Sequence, residues 1–329
     1  MTRRAAVVQP IRIGVSACLL GQEVRWDGGH KRDPFLTDLL GPHVEWVPVC
    51  PEVELGLGVP REPIRLEGNP ERPRLIAPGT GRDLTETMAG FARRRLTELA
   101  RLDLSGYVLK KNSPSCGKAR VPVHGRNGLR SRRGTGLFAT ALIARFPLLP
   151  VEEEDRLHDP ARRAHFVERV FGYARWRRAL AAGMTRRRLL AFHTAHELLL
   201  LAHAPAAWRR LGVLVANAKR RPLAGVAADY GVAFMRALGA PATPPRHANV
   251  LARMLGHLTD RIDADARREL TRAITAYRRD RVPLVVPLTL FRHHARRLRA
   301  TSLARQVYLE PYPTEMMLTP APRRSPRAR

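Results

Sequence analysis

The 329-residue chain is short of cysteine, of lysine and, past its midpoint, of acids. It also lacks a long apolar run. The greasiest windows, 198–202 and 282–291, are too short or too proline-broken for the roughly 20 residues a membrane-spanning helix needs. No signal-type apolar stretch precedes Pro10. The expectation is a cytoplasmic protein without a membrane span. Cysteine occurs three times, at 18, 50 and 116. An odd count in such a protein argues against a disulfide framework. The absence of any Cys-x-x-Cys pair leaves finger and ribbon zinc sites without support. There is no internal repeat.

What remains is a globular composition, 44% hydrophobic and 26% charged, with a net charge of +29. The charge is uneven. Residues 1–155 carry 24 basic against 18 acidic side chains, and residues 156–329 carry 34 against 11. A field concentrated on the second half suits contact with a polyanion, nucleic acid in the first place; a solvated basic surface is the plainer alternative. Of the 58 basic residues 53 are Arg. A compositional bias accounts for Arg over Lys, but not for the scarcity of acids after residue 155.

The first half alternates short apolar runs with helical spacing. Residues 11–15, 44–49 and 106–109 read as strands, and 33–40, 84–102 and 135–146 as helices. Alternation of this kind implies right-handed crossovers and a mainly parallel sheet. After Pro150 the character changes. Glu152-Glu153-Glu154-Asp155 reads as an acidic hinge, and Arg-rich helical spacing runs over 160–182. Helices are expected over 185–204, 246–259, 264–279 and 287–299, with Asp263 the N-cap of the third and Pro287 the first residue of the fourth. The fold class is therefore an α/β domain over 11–150, a helical linker over 151–184, an all-α domain over 185–318 and a disordered Pro/Arg-rich tail over 319–329.

Each cysteine follows an apolar run and precedes a loop. In a parallel sheet such loops gather at the carboxyl edge, where ligands bind. Cys18, Cys50 and Cys116, 32 and 66 positions apart, therefore converge. Three converged thiols suit zinc with an open position for water, or a four-iron cluster with one iron free of protein ligands. Three ordinary buried thiols are the alternative; the polar, Gly/Pro-rich sequence around all three disfavours it.

The ordered motifs Ser16-Ala17-Cys18-Leu19-Leu20-Gly21, Arg25-Trp26-Asp27-Gly28, Cys50-Pro51-Glu52, Pro60-Arg61 and Lys110-x-x-Ser113-Pro114-Ser115-Cys116-Gly117 resemble the thiouracil desulfidase family over residues 11–150. Residues 185–318 resemble the helical domain often fused behind it, through Phe192-His193, Asn249-Val250-Leu251, the 283–288 run and Gln306-Val307-Tyr308-Leu309. The fused architecture is similar to tRNA 4-thiouridine desulfidases, in which the helical domain is taken to bind RNA. Trp26 stands where the family usually shows Tyr, and Glu197 where Lys is expected.

The resemblance implies that Cys18, Cys50 and Cys116 hold a [4Fe-4S] cluster whose fourth iron takes the thiocarbonyl sulfur of 4-thiouridine in tRNA, acting as a Lewis acid. Water then attacks the C=S carbon, and sulfur leaves as hydrosulfide without redox change. Glu52 is the candidate for activating that water, with Glu54 the competing carboxylate. Ser113 is favoured over Ser115 as a donor to the substrate. Asp27 and Arg61 shape the pocket, and Lys110 and Asn112 cap the loop. Small thiolated pyrimidines are the alternative substrates, and a non-catalytic metal-containing RNA-binding protein the alternative class.

In the basic half, Arg186-Arg187-Arg188, Lys219-Arg220-Arg221, Arg267-Arg268, Arg278-Arg279 and Arg296-Arg297 are candidate phosphate contacts, with Tyr277, Tyr308 and Tyr312 for stacking. His193, His196 and His203 share one helix face, but one helix offers too few ligands for a metal, and core packing or a phosphate contact is expected instead.

Overall fold

Residues 13–16 are buried without interruption, as expected of a strand covered on both faces. The computed structural model describes residues 10–125 and 130–317, so the tail from Pro320 lies outside the described residues. The described residues divide into one unit up to Phe166 and another from Val167 on. In the first, the strands are β1 (Arg12–Ser16), β2 (Glu45–Val49), β3 (Arg65–Asn69), β4 (Arg72–Ala77), β5 (Arg82–Asp83), β6 (Gly106–Leu109), β7 (Val121–His124), β8 (Arg130–Gly134) and β9 (Val151–Glu153). Its helices are α1 (Pro51–Glu54), α2 (Thr85–Arg101) and α3 (Leu137–Arg145).

One sheet has the order β2-β1-β6-β9, parallel throughout. Helices α2 and α3 pack together through apolar residues at helical spacing, Met88, Phe91 and Leu96 on one and Phe138 and Leu142 on the other. Phe138 lies 6.2 Å from Phe91 and 6.4 Å from Tyr107, ring to ring, which ties the helices to β6. Gly14 stands opposite Tyr107 in register, and a Cβ there would lie 2.2 Å from the ring.

Three features of this unit depart from the expectation. A second, five-stranded sheet, β5-β4-β3-β7-β8, has β3 and β7 parallel and its other pairs antiparallel. The run Glu152-Glu153-Glu154-Asp155 is not a hinge. Glu152 and Glu153 belong to β9, and Glu153 and Glu154 are buried. Their carboxylates stay inside because backbone N–H groups meet them: Lys118 and Ala119 donate to Glu153 (2.8 and 3.4 Å), and Lys111 donates to Glu154 (2.8 Å). The expected helix over 33–40 is a short wide turn, Phe35–Leu40.

Helix α4 (Pro160–Ala181) carries the chain into the second unit, which holds α5 (Arg186–Ala195), α6 (Glu197–His203), α7 (Pro205–Ala216), α8 (Leu223–Gly239), α9 (Pro244–Leu258), α10 (Ala264–Arg278) and α11 (Val285–Arg297). Thr185 and Asp263 cap their helices, accepting from Arg188 N–H (3.1 Å) and Ala266 N–H (2.8 Å). The helix expected over 185–204 breaks at His196. Pro287 is the third residue of α11, not the first. Rings of Trp176, Phe192, Tyr230 and Phe234 pack with nearest centroids 5.1–5.2 Å apart. Among the described residues, no helix is long and apolar enough to cross a membrane.

The three singled-out histidines are core residues. His193 Nδ1 meets the Tyr230 hydroxyl at 3.1 Å. His196 donates from Nδ1 to the Phe192 carbonyl (2.7 Å) and accepts at Nε2 from Arg175 (3.2 Å). Burial, with Arg175 beside it, lowers its pKa to about 3. His203 faces two acceptors, Glu168 (2.7 Å) and the Ala240 carbonyl (2.6 Å); against the effect of burial, these raise its pKa. Tyr308, expected among the stacking residues, is buried, with its hydroxyl 2.8 Å from His247 Nδ1. Burial lowers His247 to about 4.

Two predictions follow from this packing. Gly14→Ala should destabilise the first unit by about 1–3 kcal/mol through overpacking, read as a lower thermal midpoint. In the second unit, His196 and His247 take up protons near pH 6.5 only on unfolding, so stability falls as pH drops from about 6.5 towards 4. The slope is about 1.4 kcal/mol per pH unit for each ring. Denaturant titrations across that window should show a shallower slope in His247→Gln; an unchanged slope would remove His247 as a contributor.

Candidate active site

The parallel order β2-β1-β6 brings three loops to one edge. Cys18 sits in the turn after β1, Cys50 between β2 and α1, and Cys116 in the loop after β6. All three line one cavity of about 400 Å³. None is in a disulfide. Burial raises Cys18 to about 11, with Cys50 adding to the effect. Cys116 is raised well above its usual value, first by burial and then by Glu52 and the other two thiols, against a hydrogen bond from Ser16. Cys50 is raised mainly by burial. The three sulfurs are thus within electrostatic reach of one another. Without a metal they favour the neutral thiol.

The Cys116 loop is clasped by the start of α3. The first N–H groups of a helix have no partner within it. Here Gly136, Leu137 and Ala139 donate theirs to the carbonyls of Gly117, Pro114 and Ser115, at 2.7–3.1 Å. The approach needs glycine at 136, where a Cβ would meet the Ser115 carbonyl at 2.5 Å. On the other side, Lys110 N–H donates to Ser16 Oγ (3.0 Å), and Lys110 Nζ pairs with Glu154.

Glu52 is the second residue of α1 and lines the cavity. One oxygen accepts from Arg61 Nη2 and Nε (2.7 and 3.1 Å), the other from the Ser115 hydroxyl (2.9 Å). Arg61 also donates to the carbonyls of Gly58 (2.9 Å) and Val24 (3.0 Å). Both side chains of the pair are largely withdrawn from water, with 13% of Glu52 and 5% of Arg61 exposed. Glu54 turns elsewhere: it accepts from Cys50 N–H (3.0 Å) and pairs with Arg95 (2.8 Å).

The remaining sequence candidates separate. Ser113 lines the cavity, and its Oγ accepts from the N–H groups of Ser115 (3.2 Å) and Cys116 (3.0 Å). Ser115 is fully buried, is not among the lining residues and reaches the site by donating to Glu52. Asp27 also lies outside the lining. It is exposed and accepts from Arg25 (3.3 Å), which does line the cavity, and from Gly29 N–H (3.2 Å). A lowered pKa accompanies those bonds, with Gly29 the larger cause. Lys110 and Asn112 line the cavity, Asn112 in the left-handed region at φ +58°. Ser16 and Glu154 stood in runs read from the sequence but were given no role at the site, and Gly136 was not singled out. The one available signal was an acidic run directly after the apolar residues 146–151. Among the described residues, no three His, Cys, Asp or Glu side chains are grouped to hold a single metal ion.

With this geometry in hand, the comparisons with known proteins place the first unit. The chain belongs to the 2-thiouracil desulfurase family, whose model matches residues 13–154. Residues 197–313 match a second family, described as a protein of unknown function (DUF1722). The chain is 32% identical over 146 residues to the uncharacterized protein YbgA of Escherichia coli (strain K12), covering 44% of this chain and 86% of that one. It is also 32% identical over 151 residues to the uncharacterized protein YbbK of Bacillus subtilis (strain 168), covering 44% and 97%. Among solved structures it is similar to the [4Fe-4S]-dependent thiouracil desulfidase TudS, at 35% identity, 45% and 93% coverage and a TM-score of 0.37.

Gly136→Ala should push the Ser115–Cys116 backbone off α3. Cys116, now 6% exposed, should then react with a thiol reagent at least about tenfold faster in metal-free protein, since access limits a buried thiol. Labelling followed by mass spectrometry reads this residue by residue, and an unchanged rate would show that the clasp yields without moving the cysteine.

Proposed function

We propose that the protein removes sulfur from a thiolated pyrimidine. The observation that carries this reading is the opening of Cys18, Cys50, Cys116 and Glu52 onto one cavity. Three thiols without a fourth cysteine anywhere in the chain, lining a common space, suit a cluster with one iron left free of protein ligands. Cys18, Cys50 and Cys116 would hold a [4Fe-4S] cluster, which would supply a soft Lewis acid for a thiocarbonyl sulfur.

The chain's own residues do the rest. Glu52, held on both oxygens by Arg61 and Ser115, accepts a proton from the water that adds to the C=S carbon. Ser113 has its hydroxyl proton to give, because its oxygen already accepts two backbone N–H bonds; that proton steadies the ring as the C–S bond breaks. Water supplies the new carbonyl oxygen, and sulfur departs as hydrosulfide, with no net electron transfer.

The substrate we favour is 4-thiouridine in tRNA, converted to uridine. Supporting it are 34 basic against 11 acidic residues over 156–329 and the exposure of Arg187, Lys219, Arg220, Arg267, Arg278 and Arg279. Phosphate contacts of this kind offset the few kcal/mol needed to turn a base out of its stack. Free thiouracil is the second reading, favoured by the family's own description.

The test is an anaerobic visible spectrum with iron and sulfide quantified, then addition of thiouracil or thiolated tRNA. A brown absorbance absent from Cys18→Ser, followed by sulfide release, is expected. Glu52→Gln should keep the iron and lose about 100-fold or more in turnover. A colourless protein after reconstitution, or full turnover in Glu52→Gln, would overturn the cluster or the base respectively. Release from tRNA but not from thiouracil selects the first substrate; the reverse selects the second.

A further inference from the structure

The five-stranded sheet of the first unit has one face turned inward and one turned out. Cross-strand partners share a face, and successive residues alternate between faces. Ser131, Val123, Leu66 and Leu75 are partners across β8, β7, β3 and β4, and the last three are at most 1% exposed. The adjacent row is Arg130, His124, Glu67 and Arg74. It therefore lies on the outer face, with Arg130 and Arg74 exposed. Val121 pairs with Gly134 but Val123 with Ser131, which leaves Arg132 and Arg133 together opposite Pro122. This β-bulge sets two exposed arginines where a regular strand has one.

The five strands hold seven arginines and two carboxylates. Both carboxylates are taken, Glu67 by Arg65 (2.7 Å) and Asp83 by Arg74 (3.8 Å). Among the described residues, Arg130, Arg132 and Arg133 have no carboxylate partner. The field shows in His124, whose pKa is lowered by burial and then by Arg65 and Arg130. Charged side chains on an edge strand protect it from pairing with another chain. That accounts for charge on β8, but not for Arg65 and Arg74 on the inner strands β3 and β4. The place of the face matters as well. Pro63 and Ile64 line the cysteine cavity, and Arg65 follows them as the first residue of β3. The basic face thus begins where the cavity lining ends, and from β8 to β4 it spans about 14 Å.

We propose that the outer face of the five-stranded sheet is a docking surface for RNA, taking the sugar–phosphate backbone that flanks the nucleotide under attack. The proposal rests on the tRNA reading of the desulfidase and deepens it, because it gives the first unit its own grip on the polymer. Charge is what the face offers. Its strands contain no Phe, Tyr or Trp, so it has no platform on which unpaired bases stack. Arginines without carboxylate partners meet phosphates instead, which fixes the position of the RNA without reading its sequence. A free thiopyrimidine has no backbone to lay on this face.

The test is binding of unmodified tRNA to the full-length protein across a salt series. The triple variant Arg130→Glu/Arg132→Glu/Arg133→Glu should raise Kd at least about tenfold. Its plot of log Kd against log salt should be shallower by about 2, since each lost phosphate contact removes a little under one. Arg130→Lys/Arg132→Lys/Arg133→Lys, which keeps the charge, should bind within about threefold of the wild type. In both variants the thermal midpoint, the iron content and turnover of thiouracil should stay unchanged. In the glutamate variant kcat/KM for thiolated tRNA should fall along with affinity. An unchanged Kd and slope in that variant overturns the proposal, as does a wild type that leaves tRNA free at low salt. An equal weakening of polyglutamate binding also overturns it, by marking a surface for any acidic polymer. A loss in the lysine variant as large as in the glutamate one does the same, by showing that the arginines hold the strand. Sulfide release from no substrate sinks the desulfidase reading, and the salt series still decides the face.

Discussion

The site depends on one constraint, the parallel pairing of β1 with a neighbour on each side. Because β2, β1 and β6 run the same way, the loops that leave them share an edge. The sheet thereby turns three cysteines far apart in sequence into neighbours around one cavity. This pairing requires Gly14 opposite Tyr107, and the aromatic contacts of Tyr107 and Phe138 then bring α3 to where its first N–H groups hold the Cys116 loop. A packing choice in the middle of the sheet and the position of a thiol at its edge are thus one arrangement.

Much of this was legible in the residues. The runs 11–15, 44–49 and 106–109 are mostly apolar, broken only by Arg12 and Glu45, and largely buried strands announce themselves that way. Met88, Phe91 and Leu96 recur at helical spacing, as an amphipathic helix must. The second sheet gave no such signal. β8 reads Arg-Ser-Arg-Arg-Gly and β3 mixes Arg, Glu and Asn with one leucine, so neither shows a clean alternation. β9 was hidden for another reason. Its acids suggest solvent, yet they are satisfied by backbone donors from a distant loop, which no local pattern reveals. The break at His196 is likewise non-local, resting on Arg175 and a packed aromatic cluster.

Within the site, sequence found residue types more readily than their division of labour. Glu52 and Glu54 stand two apart on α1, and only three-dimensional placement separates a carboxylate on the cavity from one that fastens Cys50 to α2. Ser113 and Ser115 are divided in the same way, one shaping the turn and the other gripping Glu52. Asp27 acts on the cavity only by holding Arg25. The two units handle charge differently. Around the cavity most cations have a carboxylate partner, whereas the second unit buries neutral histidines in its core and leaves many arginines exposed.

The buried acids after Pro150 bear on how such a chain could be assembled from modules. Glu153 and Glu154 receive the backbone of the loops that leave β6, and the match to the family extends to residue 154. A recombination joint placed in the Pro147–Pro150 turn would look natural by composition. It would nonetheless transplant a sheet one strand short, with Lys110 and Lys111 facing the cavity and no counter-charge behind them. The seam at which a helical partner can be gained or exchanged therefore lies beyond the acidic run, so those four acidic residues travel with the chemistry and not with the partner.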